Sequence, residues 1–77
     1  MRMARYFFDS FDGAEFIRDE VGTDLPDLAA AQNEASRALS EMLREQMPAT
    51  GRIEILVDVR DESGVIVAKA KAVTDVG

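Results

Sequence analysis

Arg52-Ile53-Glu54-Ile55-Leu56-Val57-Asp58-Val59-Arg60 runs into Asp61-Glu62-Ser63-Gly64 and then into Val65-Ile66-Val67-Ala68-Lys69-Ala70-Lys71-Ala72, and the fold follows from reading this stretch. In its first segment Ile53, Ile55, Val57 and Val59 alternate with Glu54, Leu56, Asp58 and Arg60, the period-two pattern of a strand with one face against a core. The loop reads as a four-residue hairpin connection built on a type I turn, with Gly64 supplying the left-handed backbone that reverses the chain. On this reading Arg60 pairs with Val65. Val59, Val57, Ile55 and Ile53 then oppose Ile66, Ala68, Ala70 and Ala72, and Glu54 opposes Lys71. A loop one residue shorter would place Lys69 and Lys71 among the isoleucines, where unpaired charge is costly.

Upstream of the hairpin, Leu28, Ala31, Ala35, Ala38, Leu39, Met42, Leu43 and Met47 recur at helical spacing, and Glu34, Arg37, Ser40, Glu41, Arg44 and Glu45 take the opposite side. This predicts an amphipathic helix over 28–47. Asp24 or Asp27 caps its start, Pro26 prevents extension upstream, and Pro48 and Gly51 end it. Small residues on the helix (Ala31, Ala35, Ala38) facing small residues on the last strand (Ala68, Ala70, Ala72) imply close helix-on-sheet packing.

All five aromatic residues, Tyr6, Phe7, Phe8, Phe11 and Phe16, lie between positions 6 and 16. Residues 5–11 read as a strand, Asp12-Gly13 as a two-residue turn, and 14–19 as the returning strand. That register sets Phe8 opposite Ile17, Phe7 opposite Arg18, Asp9 opposite Phe16 and Phe11 opposite Ala14. Residues 19–23 form a turn, Asp24 to Asp27 lead into the helix, and Asp75 to Gly77 are a frayed end. The architecture expected is α+β: one domain over 1–77, two layers, a four-stranded, mostly antiparallel sheet with one helix on one face, in the order strand-strand-helix-strand-strand.

Composition narrows the function. The 77 residues contain no histidine and no cysteine, which removes the usual near-neutral acid–base group, disulfides and thiolate ligands. A formal net charge of −6 argues against a phosphate-neutralising surface. No apolar run reaches the length of a membrane span and no signal-peptide core is present, so a cytoplasmic location is expected. Asp19, Glu20, Asp24 and Asp27 lack the alternate spacing of a calcium loop and read as capping and surface acids, so no metal and no cofactor is expected. Paired carboxylates such as Asp9 and Asp58, if near each other on the open sheet face, could in principle serve as acid and base, but no glycine-rich phosphate loop or activated nucleophile accompanies them, and the chain reads as a non-enzyme.

A small two-layer domain covers one sheet face only, so Phe7, Phe11, Phe16 and Leu56, with Val65 and Val67 and the neighbouring Arg18, Arg60, Lys69, Lys71, Glu54 and Asp58, are left on the face away from the helix. Tyr6 and Phe8 go to the core. Aromatic anchors among charged residues point to a protein partner or a homodimer, with Phe7, Phe11, Phe16, Leu56, Arg18 and Lys69 as the contact residues and an edge strand as the other route of association. The alternative is stacking of nucleic-acid bases or a small aromatic ligand on the same face, which the acidic charge disfavours.

The segments Arg5-Tyr6-Phe7-Phe8-Asp9, Asp12-Gly13, Asp19-Glu20-Val21-Gly22-Thr23-Asp24-Leu25-Pro26-Asp27-Leu28-Ala29-Ala30-Ala31 with Glu34-Ala35, and Val59-Arg60-Asp61-Glu62-Ser63-Gly64 taken together resemble a family of short domain-of-unknown-function proteins of root-nodule and related alpha-proteobacteria. The resemblance spans almost the whole chain and implies a stand-alone bacterial cytoplasmic domain, with no activity or residue role attached. A fainter likeness is to the antitoxin partners of bacterial toxin systems, which bind a toxin or dimerise. Those proteins carry a third strand before the helix and many have a DNA-binding tail, neither of which is plain in this sequence.

Overall fold

The computed structural model describes residues 2–46 and 51–76. Five strands and one helix follow in the order β1 (Ala4–Phe11), β2 (Phe16–Ile17), β3 (Thr23–Leu25), α1 (Leu28–Gln46), β4 (Gly51–Arg60) and β5 (Ile66–Val76). β1 and β4 are the central pair, β5 flanks β4, and β2 and β3 pair in tandem with the other side of β1, every ladder antiparallel. The α+β architecture is as expected, an open sheet with a single helix on one face.

The alternation in β4 does what it predicts. Ile53, Ile55, Val57 and Val59 are buried, and Ala31 and Ala35 of α1 pack in one cluster with Val57 and Val59. Burying a side chain of this size contributes about 1.5–3 kcal/mol. The alanines on both layers let helix and sheet approach closely, and Tyr6, Phe8, Leu25, Leu39 and Met42 close the margins of this core. Asp27 caps the helix, its Oδ1 accepting the Ala30 N–H at 2.8 Å. On the solvent side of α1, Arg37 forms an ion pair with Glu34, one turn back. Met47 and Pro48, expected at the end of the helix, lie outside the described residues.

Both hairpin registers differ from expectation by two residues. In the second, Val59 opposes Ala68, Val57 opposes Ala70 and Ile55 opposes Ala72, with a bulge between Val59 and Arg60. The loop is longer than a four-residue turn: the Asp61 N–H donates to the Val65 carbonyl at 2.9 Å, and Asp61 Oδ1 accepts the N–H groups of Ser63 and Val65. Arg60 then pairs with Ile66, and the extra residue, Val67, turns to the helix-side core instead of the open face. In the first hairpin Phe11 opposes Phe16 and Ser10 opposes Ile17, because Asp12–Glu15 make a four-residue loop in which Asp12 Oδ1 accepts the Ala14 and Glu15 N–H groups. The returning strand is only Phe16–Ile17, and Thr23–Leu25, read as helix lead-in, is a further strand. Asp75, expected to be frayed, is paired with Arg52.

Candidate functional site

The sheet face away from α1 is organised in rows that cross the strands. Paired residues share a face, so the registers join Phe16, Phe11, Leu56 and Lys71 into one row. Asp9, Asp58 and Lys69 form the next, and Phe7, Arg60 and Ile66 the one after. Glu54 with Val73, and Arg52 with Asp75, continue toward the other end. Of these, Phe16 is 60% and Val73 41% exposed, while Phe11 and Leu56 are half-buried. Three bulky apolar side chains therefore stand side by side across β2, β1 and β4, with charged residues on either side of them.

One end of this face is closed by its own chain. β2 and β3 would be a single strand along β1 if the two extra residues between them were absent, since Ser10 pairs with Ile17 but Tyr6 with Thr23. The surplus bulges outward at Arg18–Gly22, and the side chain of Asp19 takes over what the backbone gives up. Its Oδ2 accepts the Phe8 N–H at 3.0 Å, and its Oδ1 accepts those of Val21 and Gly22, both at 3.0 Å. Burial raises the Asp19 carboxyl, but the Gly22, Phe8 and Val21 N–H groups together outweigh it and hold it below the ordinary carboxylate range.

Beneath this loop lies Asp9, only 5% exposed on a face that is otherwise open. Arg60 grips it with two bonds, Nε to Oδ2 at 2.6 Å and Nη2 to Oδ1 at 3.1 Å, and the Asp19 N–H donates to Oδ1 at 3.0 Å. The Arg60 Nη2 also donates to the Asp19 carbonyl at 2.9 Å, tying β4 to the loop. The Arg60 hydrogen bond is the main reason the Asp9 carboxyl sits below its ordinary value, against the opposing effect of burial. Arg60 completes the closure by lying 5.0 Å over the Phe7 ring, whose Cε2 edge is beside Gly22. Arg5 pairs with Asp24 at 2.9 Å alongside.

These contacts sort the candidate residues. Phe11, Phe16 and Leu56 come together in one row, and Lys69 lies in the adjacent row. Arg18 is exposed at the start of the bulged loop. Phe7 shares the face but is engaged within the chain by Arg60 and Gly22. Asp9 and Asp58 are directly opposite each other, as the acid–base idea required, yet both Asp9 oxygens are occupied by Arg60 and the Asp19 N–H. An acid pinned in its ionised form is a poor proton donor at neutral pH. Of the acidic cluster near the helix, Asp19 bonds the loop, Asp24 pairs with Arg5 and Asp27 caps α1; among the described residues no three acids converge on a point that could hold a metal ion.

Sequence reasoning missed the role of Asp19 and Gly22. The signal available was the spacing itself. An Asp followed two or three residues later by residues whose N–H groups it can accept is a local turn device, and Asp12, Asp19 and Asp61 all use it. Two clefts border the sheet, one lined by Phe7, Arg18 and Arg60 and the other by Phe8, Thr23 and Arg37; neither includes Phe11, Phe16 or Leu56, which stand on an open surface.

No curated protein and no solved structure matches the chain. Residues 5–74 match the sequence profile of a domain of unknown function, DUF6894, from the first residue of the Arg5–Asp24 pair to within three residues of the end, and the chain belongs to that family.

Proposed function

We propose that this domain is a non-enzymatic interaction module that docks a protein partner on the sheet face opposite its helix. The observation that carries the reading is the row Phe16–Phe11–Leu56, apolar across three strands, with Phe16 60% exposed. Lys69, Lys71, Asp58 and Glu54 frame it, the arrangement of apolar anchors inside a charged rim that protein interfaces use. The closed end of the face, with Asp9, Arg60 and Asp19 mutually satisfied, acts as a rigid platform for the row and takes no part in chemistry. A phosphate-tracking function fits less well. Arg5, Arg60 and Lys71 each sit within 4 Å of a carboxylate, at Asp24, Asp9 and Glu54, so few cations on this face are left to neutralise a nucleic-acid backbone.

The test is affinity capture from native cell extract with wild-type, Phe16→Ser and Leu56→Ser proteins. Phe16→Ser should leave the melting temperature almost unchanged, because an exposed side chain contributes within about 0.5 kcal/mol. A protein retained by the wild type and lost with both variants supports the reading. Retention by both variants, or a gel shift of single-stranded RNA at low salt by the wild type, refutes it.

A further inference from the structure

The two edges of the sheet are built in opposite ways. Along β1 the edge is broken into two- and three-residue pieces by the Arg18–Gly22 bulge, and the Phe8 N–H is occupied by the Asp19 carboxylate. An interrupted, side-chain-closed edge does not template another strand. β5 is its contrary: eleven residues from Ile66 to Val76, paired on one side only among the described residues, with no proline or glycine within it and a single bulge near its first residue. Lys69 and Lys71 point to the open face of the sheet and so do not obstruct the free edge. Such a strand presents a row of outward N–H and C=O groups ready to pair.

The side chains say what fits there. Consider a second copy of β5 running antiparallel along the first, with both helices on the same side of the joined sheet. Two-fold symmetry then requires some residue to face its own copy. Centring on Lys69 or Lys71 sets a lysine against itself, and centring on Ala70 sets Lys69 against the partner's Lys71; all three are repulsive. Centring on Val73 sets Lys71 against the partner's Asp75, twice by symmetry, and Val73 against the partner's Val73, an apolar contact between side chains each 41% exposed in the single chain. Centring on Ala72 also finds Asp75 for a lysine but leaves Val73 facing the partner's Lys71. The helices agree with this arrangement. α1 rests over β4 and β5 alike, so with strands about 4.8 Å apart the two helix axes would be ~10 Å from each other, the distance at which helices pack.

We infer that the domain pairs with a second copy of itself through β5, antiparallel and centred on Val73, with Lys71 opposite the partner's Asp75. The joined sheet carries both helices on one side and both open faces on the other, doubling the surface proposed above for a partner. The inference extends that reading but concerns the edge and not the aromatic row, so each can fail alone.

The chain contains no cysteine, so single-cysteine variants report on geometry without background. Residues directly opposite have Cα atoms about 4.5–5.5 Å apart, within the range a disulfide spans. Val73→Cys therefore crosslinks the purified protein quickly on mild oxidation. Lys69→Cys lies four residues from the axis, ~27 Å from its own copy at about 3.4 Å per residue, and stays uncrosslinked. Both sites are exposed, so neither change disturbs the fold. Sedimentation of the wild type at about 100 μM gives twice the 8.5 kDa mass of the chain. Lys71→Glu or Asp75→Lys alone weakens the dimer about tenfold or more, as two symmetry-related pairs turn from attraction to repulsion. The two together restore it to within about threefold, an outcome that loss of the Lys71–Glu54 contact inside one chain cannot produce. A monomer at that concentration, equal crosslinking at positions 69 and 73, or no rescue by the double exchange overturns the inference.

Discussion

Gly22→Ala tests whether the bulged loop is held by packing as well as by backbone geometry. With φ at +79°, a side chain carries the left-handed penalty of about 1–2 kcal/mol, of which ~0.4–1 kcal/mol is recovered through the lower freedom of the unfolded chain. The added Cβ would also lie 2.8 Å from Arg5 Cγ and 2.9 Å from Phe7 Cε2. Neither neighbour yields easily: Arg5 is held by Asp24, and the Phe7 ring has Arg60 over its face. Overpacking of this kind costs about 1–3 kcal/mol, so the total is about 2–4 kcal/mol. In a domain of this size that lowers the melting temperature by about 8–32 °C, at about 4–8 °C per kcal/mol. Gly64→Ala is the comparison, because Gly64 has a similar φ of +89° and nothing within 4 Å of the added atom. It should lose only the backbone part, about 1 kcal/mol. Phe7→Leu in the Gly22→Ala background should recover part of the packing loss. Equal melting temperatures for the two alanine variants, or no recovery with Phe7→Leu, would refute the account of Gly22 as a contact residue.

Other expectations follow from the same loop and from the core. Asp9 and Asp19 have folded-state values below their ordinary carboxylate values, so the stability they supply is complete above about pH 4 and is lost as pH falls through the lowered values. Thermal melts at pH 7 and pH 5 should agree, with a steep fall below pH ~4. Asp19→Asn should be less stable at pH 7 and show a shallower acid limb; an acid limb identical to the wild type would contradict the assignment. Millimolar Ca²⁺ or Mg²⁺ should leave the melting temperature where it is, because any ion bound by the native state must raise it, and a rise would reveal a site. Ala35→Leu, in the contact between α1 and the buried residues of β4, should cost about 1–3 kcal/mol in a urea titration, whereas a stabilising effect would mean that the helix stands farther from the sheet than described.

The layers of this fold could be read from residue spacing, and the connections could not. Alternation in 53–59 and helical spacing in 28–47 are averages over many positions, so a single misplaced residue does not disturb them. Each hairpin register depends on one loop, and each loop is set by an aspartate, Asp12 or Asp61, whose carboxylate collects N–H groups two or more residues downstream. Those bonds lengthen the loop beyond what a glycine-based turn rule gives. Because both slips were of two residues, they left the strand residues on their expected faces except at the bulge, which turned Val67 inward and Ile66, expected under the helix, onto the open face. For this reason Phe7, Phe11, Phe16 and Leu56 do share the face away from α1, although the neighbours expected for each were wrong. The row Phe16–Phe11–Leu56 could not be seen in advance, since it exists only in the slipped register. Nor could the engagement of Phe7 under Arg60, which depends on a bulge in β4–β5 and a loop between β2 and β3 meeting over one ring.

The Asp19 carboxylate that takes the Phe8 N–H has a consequence for how large an assembly of these domains can grow. A sheet with two usable edges is bivalent, and bivalent units polymerise into fibres. With one edge shut, a domain that self-associates through β5 as inferred above would be monovalent, and a monovalent unit can only make pairs. What shuts that edge is the Arg18–Gly22 bulge, which splits it into two- and three-residue pieces, together with the Asp19 carboxylate on the Phe8 N–H, so two copies joined through β5 would offer no long edge to a third.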